Sequence, residues 1–347
     1  MTTLTWVHLS DLHFNGMESP ADMIHLEKML DDVKAQCDQK HLTPDAIFLT
    51  GDLAFSGQKK QYDFAGKWFE KLLAACGLPG QRDRLFIVPG NHDIDRTVVG
   101  KADWQYQYYR TFAADLLNSK KPYKEVDDFL GDDEHKEWAF RKFRNFEWFI
   151  SEFFGSAHPA KLDFSRYYSV REIKKDDYTV VVLGLNSAWL SFRDDEQGQL
   201  LLGARQVCDA ANEQKDRWPD ARLRIALVHH PLYWMAEKDI HEVQKYLPLT
   251  CDLLLRGHLH CSSFTVQSTP DSHLHEFAAG ASHHADYRAY SLTQLNLETG
   301  QLTASVRLQV PSIGPNWSAD SFTYRKAKNG MIRFRLALAK HSPVVEV

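Results

Sequence analysis

The segment Trp6-Val7-His8-Leu9-Ser10-Asp11-Leu12-His13 decides the fold of this chain. A short apolar run, suited to a buried strand, ends directly at an aspartate and a histidine, which are both metal-binding residue types. The same order recurs at four further places: residues 46–50 before Gly51-Asp52, 85–89 before Gly90-Asn91-His92-Asp93, 225–228 before His229-His230-Pro231, and 253–256 before Gly257-His258-Leu259-His260. Five such strand ends predict a sheet whose carboxyl edge carries a metal site.

Composition narrows the class of protein. The chain has 347 residues, 44% of them hydrophobic and 25% charged, which is ordinary for a soluble globular protein of one large domain or two. A net charge of -5 argues against a broad nucleic-acid-binding surface, although a local basic groove stays open. Five scattered cysteines without a CxxC pair indicate reduced thiols. With neither a signal peptide nor an apolar run of membrane length, we expect a cytoplasmic protein without a membrane partner.

The order of apolar and polar segments predicts the domain organisation. Strands alternate with amphipathic helices over 21–39 and 60–75 in the first ninety-odd residues, and a strand-rich region with a helix near 203–216 follows later. Between them, an aromatic and basic insert at about 100–165 predicts helices over 101–117 and 132–154. It could form a lid or substrate wall, but aromatics at helical spacing favour a helical pair that fills its own small core. We therefore predict one domain over 1–310 that includes this insert, followed by a C-terminal β-hairpin extension and tail over 311–347 with its turn at Asn329-Gly330.

The residue types at the strand ends indicate the metal chemistry. Aspartate, asparagine and histidine without a thiolate suit Mn²⁺, Fe or Zn²⁺. The candidate ligands outnumber the needs of one ion but fit two ions that share a carboxylate: Asp11, His13, Asp52, Asn91, His229, His258 and His260. Two ions about 3.5–4 Å apart can clamp a phosphate and convert a bridging water into hydroxide. His92, in a tight turn after Asn91, could instead face the phosphate as a general acid or charge stabiliser.

The five blocks, DxH, GD, GNHD, H before P, and GHxH, occur in the order typical of one family. The chain resembles the calcineurin-like metallophosphoesterase superfamily over about residues 4–310. The resemblance implies an α/β fold, a four-layer αββα sandwich of two mixed β-sheets with helices outside. It implies two metal sites with Asp52 as the bridge: Asp11, His13, Asp52 and His260 at one, and Asp52, Asn91, His229 and His258 at the other.

The resemblance also implies roles for residues next to the ligands. His92 would be the catalytic histidine beside the phosphate, and Asp93 would orient it. His229 fits the family's spacing to the proline, so His230 would sit near the substrate or pack behind the ligand. Arg96, like Arg193 and Arg288, lies in a loop that could reach a phosphate, although an exposed arginine is most often solvated.

Four other histidines could be considered as a second metal site. His273, His275, His283 and His284 lie close together in the sequence. No carboxylate or cysteine accompanies them at ligand spacing, so we interpret them as exposed or hydrogen-bonded histidines at a strand edge and loop.

The family resemblance favours a phosphodiesterase of the cyclic-nucleotide (class III) branch; the protein-phosphatase blocks GDxVDRG and GNHE are absent from the sequence. The substrate class (cyclic nucleotide, nucleotide or nucleic acid) stays open. One alternative is a DNA or RNA nuclease that serves as the effector of a bacterial defence or regulatory system. Residues 317–324 are similar to the ends of metallophosphoesterase domains fused to NTPase sensors. Because the sequence has no P-loop, such a sensor would be a separate chain or would have been removed. A phosphomonoesterase or a non-catalytic scaffold is less favoured.

Overall fold

Two mixed β-sheets pack face to face, and helices cover the outer face of each. This arrangement comes from a computed structural model of the chain, which describes residues 1–98, 111, 114–116, 118–120, 122–155, 167–268, 273–324 and 327–338. Most of the predicted helix over 101–117 lies outside the described residues.

The first sheet contains seven strands. They are β1 (Thr3–Leu9), β2 (Ala46–Thr50), β3 (Leu85–Val88), β10 (Arg288–Asn296), β11 (Gln301–Gln309), β12 (Ser318–Ala319) and β13 (Met331–Arg335). The order is β12-β11-β10-β1-β2-β3, and β13 also pairs with β11. β1, β2 and β3 run parallel, so their carboxyl ends meet at one edge.

The second sheet contains six strands. They are β4 (Tyr168–Lys175), β5 (Tyr178–Leu185), β6 (Leu223–Leu227), β7 (Leu253–Arg256), β8 (Ser263–Ser268) and β9 (His273–Ala278). The order is β4-β5-β6-β7-β9-β8. β5, β6, β7 and β9 are parallel, and this central block again brings several carboxyl ends to one edge.

The helices form the outer layers. They are α1 (Pro20–Lys40), α2 (Lys59–Ala75), α3 (Pro122–Gly131), α4 (Asp133–Phe140), α5 (Arg144–Phe154), α6 (Ala204–Arg217) and α7 (Glu237–Thr250). Along β1, Val7 and Leu9 pack under α1 and α2, whereas Leu4 and Trp6 face the other sheet. Both faces of the strand are therefore buried, which explains why its sequence is apolar at successive positions. The predicted αββα sandwich is confirmed.

The described part of the insert differs from the prediction. The single helix expected over 132–154 is divided by a short 3-10 turn, Arg141–Phe143, into α4 and α5. Aromatic residues of α5 do not fill a separate small core: Phe149 stacks on Tyr62 of α2 at 5.4 Å, and Phe153 meets Phe69 at 6.1 Å. This helix of the insert, α5, therefore extends the main helical layer.

Two further features differ from the sequence prediction. α7 was not predicted; its Pro248 lies in the last turn, so the lost hydrogen bond and the ring clash affect only the end of the helix. Asn329 and Gly330 do form a turn with φ of 53° and 65°. Among the described residues that flank this turn, Lys328 pairs with Met331, and β13 pairs with β11 of the main sheet.

All five cysteines lie in the described part of the chain and are free thiols. None of the described helices combines the length and the apolar character that a bilayer crossing requires.

Candidate metal centre

All seven predicted ligands meet where the carboxyl edges of the two sheets adjoin. The loops after β1, β2 and β3 supply Asp11, His13, Asp52 and Asn91, and those after β6 and β7 supply His229, His258 and His260. The aspartate and histidine side chains form overlapping clusters, each with ligand atoms within 4.8 Å of one another, and Asn91 Oδ1 lies 3.1 Å from His229 Nε2. Loops from separate strand ends therefore meet at one place.

Five of these residues have left-handed backbone conformations. The φ angles are 54° at Asp11, 47° at His13, 54° at Asp52, 75° at His258 and 57° at His260. A non-glycine residue in this region costs on the order of 1–3 kcal/mol and persists only where the surroundings enforce it. These backbone conformations therefore lower the stability of the fold, and they direct the ligand side chains toward one point.

The first cluster contains Asp11, His13 and His260. His260 Nε2 lies 3.4 Å from Asp11 Oδ1 and 3.4 Å from His13 Nε2, and His13 Nε2 lies 3.8 Å from Asp11 Oδ1. Asp11 Oδ1 is buried and has no hydrogen-bond partner in the described structure. Ligand atoms that each bind an ion at about 2.0–2.2 Å are separated by similar distances, so this cluster fits a metal.

The second cluster gathers around His229. Its Nε2 lies 3.1 Å from Asn91 Oδ1, 3.2 Å from His258 Nδ1 and 3.2 Å from Asp52 Oδ2. Asp52 Oδ2 is also 3.8 Å from His13 Nε2. One carboxylate oxygen therefore faces both clusters, which is the position that a bridging ligand needs.

The electrostatics of the pair Asp52 and His229 favour a bound cation. Burial alone would raise the pKa of the Asp52 carboxyl, but the charge of His229 and its hydrogen bond hold that pKa well below its ordinary value. Burial alone would lower the pKa of His229, but the nearby charges of Asp52 and Asp11 raise it to about 9. A proton thus sits where a metal ion would bind, and metal binding has to displace it.

Neighbouring groups hold the ligands in place. The Thr50 carbonyl lies 2.8 Å from His229 Nδ1, so that nitrogen donates to it and Nε2 stays available as a ligand. The backbone N–H of His258 donates to Asp11 Oδ2 at 3.0 Å. A side chain at Gly90 would collide with the Asp52 carboxylate, and one at Gly257 with the Ser10 hydroxyl. Glycine is needed at both positions because the loops touch.

His92 stands at the open side of the centre. Its backbone N–H donates to Asp52 Oδ1 at 2.8 Å, and its ring lies 4.6 Å from that of His13. Its Nδ1 is 2.7 Å from the Phe55 carbonyl and therefore donates to it. The side chain keeps 22% of its surface exposed, so Nε2 can meet a substrate.

Asp93 does not orient His92, contrary to the expectation. Its carboxylate accepts hydrogen bonds from the backbone N–H groups of Leu53, Ala54 and Gly90 at 3.2, 2.9 and 2.9 Å, and from the Tyr62 hydroxyl at 3.1 Å. Asp93 therefore ties together the two loops that carry Asp52 and Asn91, while the Phe55 carbonyl holds the His92 ring.

His230 and Arg96 were the candidates for substrate contact. His230 is buried, with Nδ1 3.0 Å from Ser187 Oγ and its ring 4.6 Å from that of His258, so it packs behind the ligands. Arg96 lies at the rim, but its NH2 group is 2.5 Å from Asp194 Oδ1 and 3.3 Å from the Asn91 carbonyl oxygen. Its charge is thus already paired.

Two functional neighbours were missed by the sequence reasoning. Asp194 contacts Arg96 and lies 3.4 Å from His92 Nε2, yet in the sequence it is one of several acidic loop residues. Ser187 follows β5, and its Oγ accepts from the backbone N–H groups of His229 and His230 at 3.3 and 3.0 Å. Ser187 could have been found from the sequence, because it follows the end of a parallel strand as the ligands do.

An open cavity of about 780 Å³ begins at His260. Its wall includes Tyr287, Arg288 and Phe322, and the two aromatic rings are largely exposed. The centre therefore adjoins space for a group larger than a phosphate.

Comparison with known proteins agrees with this geometry. The family model for calcineurin-like phosphoesterases matches residues 4–262. A Bacillus subtilis (strain 168) protein named as the uncharacterized metallophosphoesterase-like protein YydB is 24% identical over 337 residues, which cover 95% of this chain and 64% of that protein. The chain thus spans less than two thirds of this relative's length.

Solved structures with similar backbones have low identities. The NAD nucleotidase of Haemophilus influenzae is 11% identical, with a TM-score of 0.40 over 92% of this chain and 49% of that one. The 5'-nucleotidase of Candida albicans SC5314 is 12% identical, with a TM-score of 0.42 over 91% and 51%. At these values neither structure supports an inference about the reaction.

Proposed function

The chain belongs to the calcineurin-like phosphoesterase family, and we propose that it is a metal-dependent hydrolase of phosphoric esters that prefers diesters. The observation that carries the hydrolase proposal is the pair of ligand clusters that share Asp52 Oδ2. Two divalent ions bound there, most simply Mn²⁺ or Fe and otherwise Zn²⁺, would neutralise a phosphate and lower the pKa of a water between them.

The protein's own residues would complete the reaction. Because Nδ1 of His92 donates to the Phe55 carbonyl, Nε2 is the nitrogen that can meet the phosphate or the departing oxygen. When protonated, it can give that oxygen a proton or stabilise its developing charge. Asp194 Oδ1 lies 3.4 Å from Nε2, so this carboxylate borders the place where the departing oxygen would meet His92.

The charges at the rim support a diester as the substrate. A diester carries one negative charge and two organic arms, whereas a monoester carries close to two charges at neutral pH. An additional charge would need an additional cation, but the nearby guanidinium of Arg96 is already paired with Asp194. The exposed carboxylate of Asp194 would also repel a dianion at His92. The cavity beside His260 offers space for one arm of a diester.

The experiment compares kcat/KM for bis-p-nitrophenyl phosphate and p-nitrophenyl phosphate at saturating Mn²⁺. We expect the intact chain to prefer the diester. Asp194→Asn should shift the ratio toward the monoester by several-fold, because it removes one negative charge and frees Arg96. Asp195→Asn is the matched control, since its exposed carboxylate is next in sequence and should leave the ratio unchanged. Monoester preference in the wild-type protein would refute the diesterase proposal.

A nuclease that works with an NTPase sensor is the second proposal. It rests on the similarity of residues 317–324 to such fused proteins. In this chain Trp317 packs against Tyr290 at 5.1 Å, so a structural role for the segment is also present. A panel of 2',3'- and 3',5'-cyclic nucleotides with single- and double-stranded DNA and RNA separates the candidates. Cleavage of nucleic acid with no turnover of cyclic nucleotides would favour the nuclease.

A further inference from the structure

We propose that Glu18, Asp22 and His284 form a third metal site, separate from the dinuclear centre, that binds one divalent transition ion. The three residues come from distant parts of the sequence. Glu18 precedes α1, Asp22 lies in its first turn, and His284 follows β9. Their candidate ligand atoms all lie within 4.8 Å of one another, and His284 Nε2 is 3.5 Å from Glu18 Oε2.

Unsatisfied buried groups at the same place point independently to a missing ligand. His283 is 1% exposed, and neither of its ring nitrogens has a hydrogen-bond partner among the described residues. Its Nε2 lies 3.9 Å from Asp22 Oδ1, so it faces the cluster. Glu18 Oε2 is likewise buried without a hydrogen bond. A buried polar group left unpaired costs about 1–3 kcal/mol, and two at one point suggest that an ion completes the site.

The donor set suits a divalent ion. Two carboxylates balance its charge, and one imidazole, with His283 as a fourth ligand after a small ring movement, is typical of Zn²⁺ or Mn²⁺. Hydrogen bonds fix one oxygen of each carboxylate and leave the other for the ion. Glu18 Oε1 accepts from Asn15 N at 2.8 Å, and Asp22 Oδ2 accepts from Ser19 Oγ at 2.7 Å. Arg288 approaches Asp22 Oδ1 only to 3.8 Å.

The position suggests what the ion does. The backbone N–H of His283 donates to the Asp11 carbonyl at 3.3 Å, and that of Ser282 donates to the Ser10 carbonyl at 2.8 Å. An ion at Glu18, Asp22 and His284 would therefore fasten the start of α1 to the loop that supports Asp11. His284 also lines the cavity beside His260, so the ion would border the space next to the dinuclear centre.

Metal stoichiometry tests the proposal. The purified chain is saturated with Zn²⁺ or Mn²⁺, freed of excess ions, and analysed for metal per chain. We expect three ions in the wild type and two in both Glu18→Gln and His284→Gln. Glu18→Gln keeps the oxygen that accepts from Asn15, and His284 is partly exposed, so both variants should fold. Glu27→Gln, exposed on the same helix, should keep three.

A variant of the dinuclear centre distinguishes that centre from the third site. Asp52→Asn should lose ions from the dinuclear centre but keep an ion that Glu18→Gln then removes. Anomalous diffraction at the zinc edge should place that ion between Glu18, Asp22 and His284. A saturated wild type with only two ions, or variants at Glu18 and His284 that keep three, would overturn the proposal while leaving the proposed hydrolase intact.

Discussion

At the residue scale, the centre depends on a few atoms held in costly conformations. Asp52 is the clearest case: its φ is 54°, its Oδ1 accepts from the His92 N–H, and its Oδ2 faces both His13 and His229. Asp11, by contrast, contacts ligands of one cluster through Oδ1 and the backbone of His258 through Oδ2. The two aspartates should therefore differ in their effect on metal binding.

We predict that Asp52→Asn loses more metal from the dinuclear centre than Asp11→Asn does. The amide removes charge from the atom that faces both ions, whereas Asp11→Asn weakens one site. Metal analysis of the two purified variants checks this. An Asp52→Asn protein with the full dinuclear complement and near-normal turnover would exclude the bridging role.

His92→Ala should keep the metals but lose rate. The ring packs beside the ring of His13, but the backbone N–H that donates to Asp52 Oδ1 remains in the variant. A general acid or charge stabiliser contributes on the order of 10²–10⁴-fold. Steady-state rates and metal content are measured on the same sample, and the loss should be greatest for poor leaving groups. If the variant loses metal instead, His92 is a ligand and the assignment of Asn91 is wrong.

At the element scale, the loops at the sheet edge are held by buried side chains from other elements. Lys142, which precedes α5, donates to the Ser191 carbonyl at 2.7 Å and steadies the loop that carries Asp194. Asp239 in α7 accepts from the backbone N–H groups of Leu202 and Gly203 at 2.7 and 3.1 Å. Burial raises the pKa of the Asp239 carboxyl to about 7.

Asp239 should make stability depend on pH. Its folded pKa of about 7 lies above the ordinary 3.8, so the folded protein holds a proton that the unfolded chain releases between these values. Its contribution is therefore full below about pH 4 and falls by up to about 1.4 kcal/mol per pH unit until about pH 7. The measurement is urea unfolding of wild type and Asp239→Asn from pH 4.5 to 8.

The free energy of unfolding of the wild type minus that of Asp239→Asn should decrease as pH rises, then level off. The same difference for Asp195→Asn, which removes an exposed loop carboxylate, is measured as the control. An Asp239 difference that stays constant or increases would show that burial does not control this carboxyl.

At the scale of the whole molecule, the centre joins the two sheets. Asp11, Asp52 and Asn91 come from the first, and His229 and His258 from the second. The carboxylates and histidines lie close together at one end of the apolar core that the two sheets share. Bound metal should therefore stabilise the folded molecule.

Removing the metals should lower the midpoint of thermal unfolding by several degrees. An ion that binds only the folded state adds about 2.7 kcal/mol when present at 100 times its Kd. Scanning calorimetry before and after chelation, followed by Mn²⁺ titration, measures the effect. Asp52→Asn should respond much less than wild type; an equal response would place the stabilising ion elsewhere.

Much of the fold and the ligand set could be predicted because the signals are local. Where an apolar strand is followed by Asp11 and His13, or by His258 and His260, about ten residues are enough to predict both the buried strand and the polar residues at its end. Parallel strands then bring their ends to one edge by geometry alone. Local signals did not lead to α7, and they could not identify the partner of β13, which pairs with β11 of the main sheet.

The sequence by itself determined which residue types stand at the strand ends, and with them the metal chemistry. Only the tertiary structure decided which neighbours those residues meet. It turned Asp93 toward the loop N–H groups, placed Asp194 at His92, and brought Glu18 to His284. Such contacts join loops remote in sequence, and a loop's path depends on the packing of everything beneath it, which no local periodicity records.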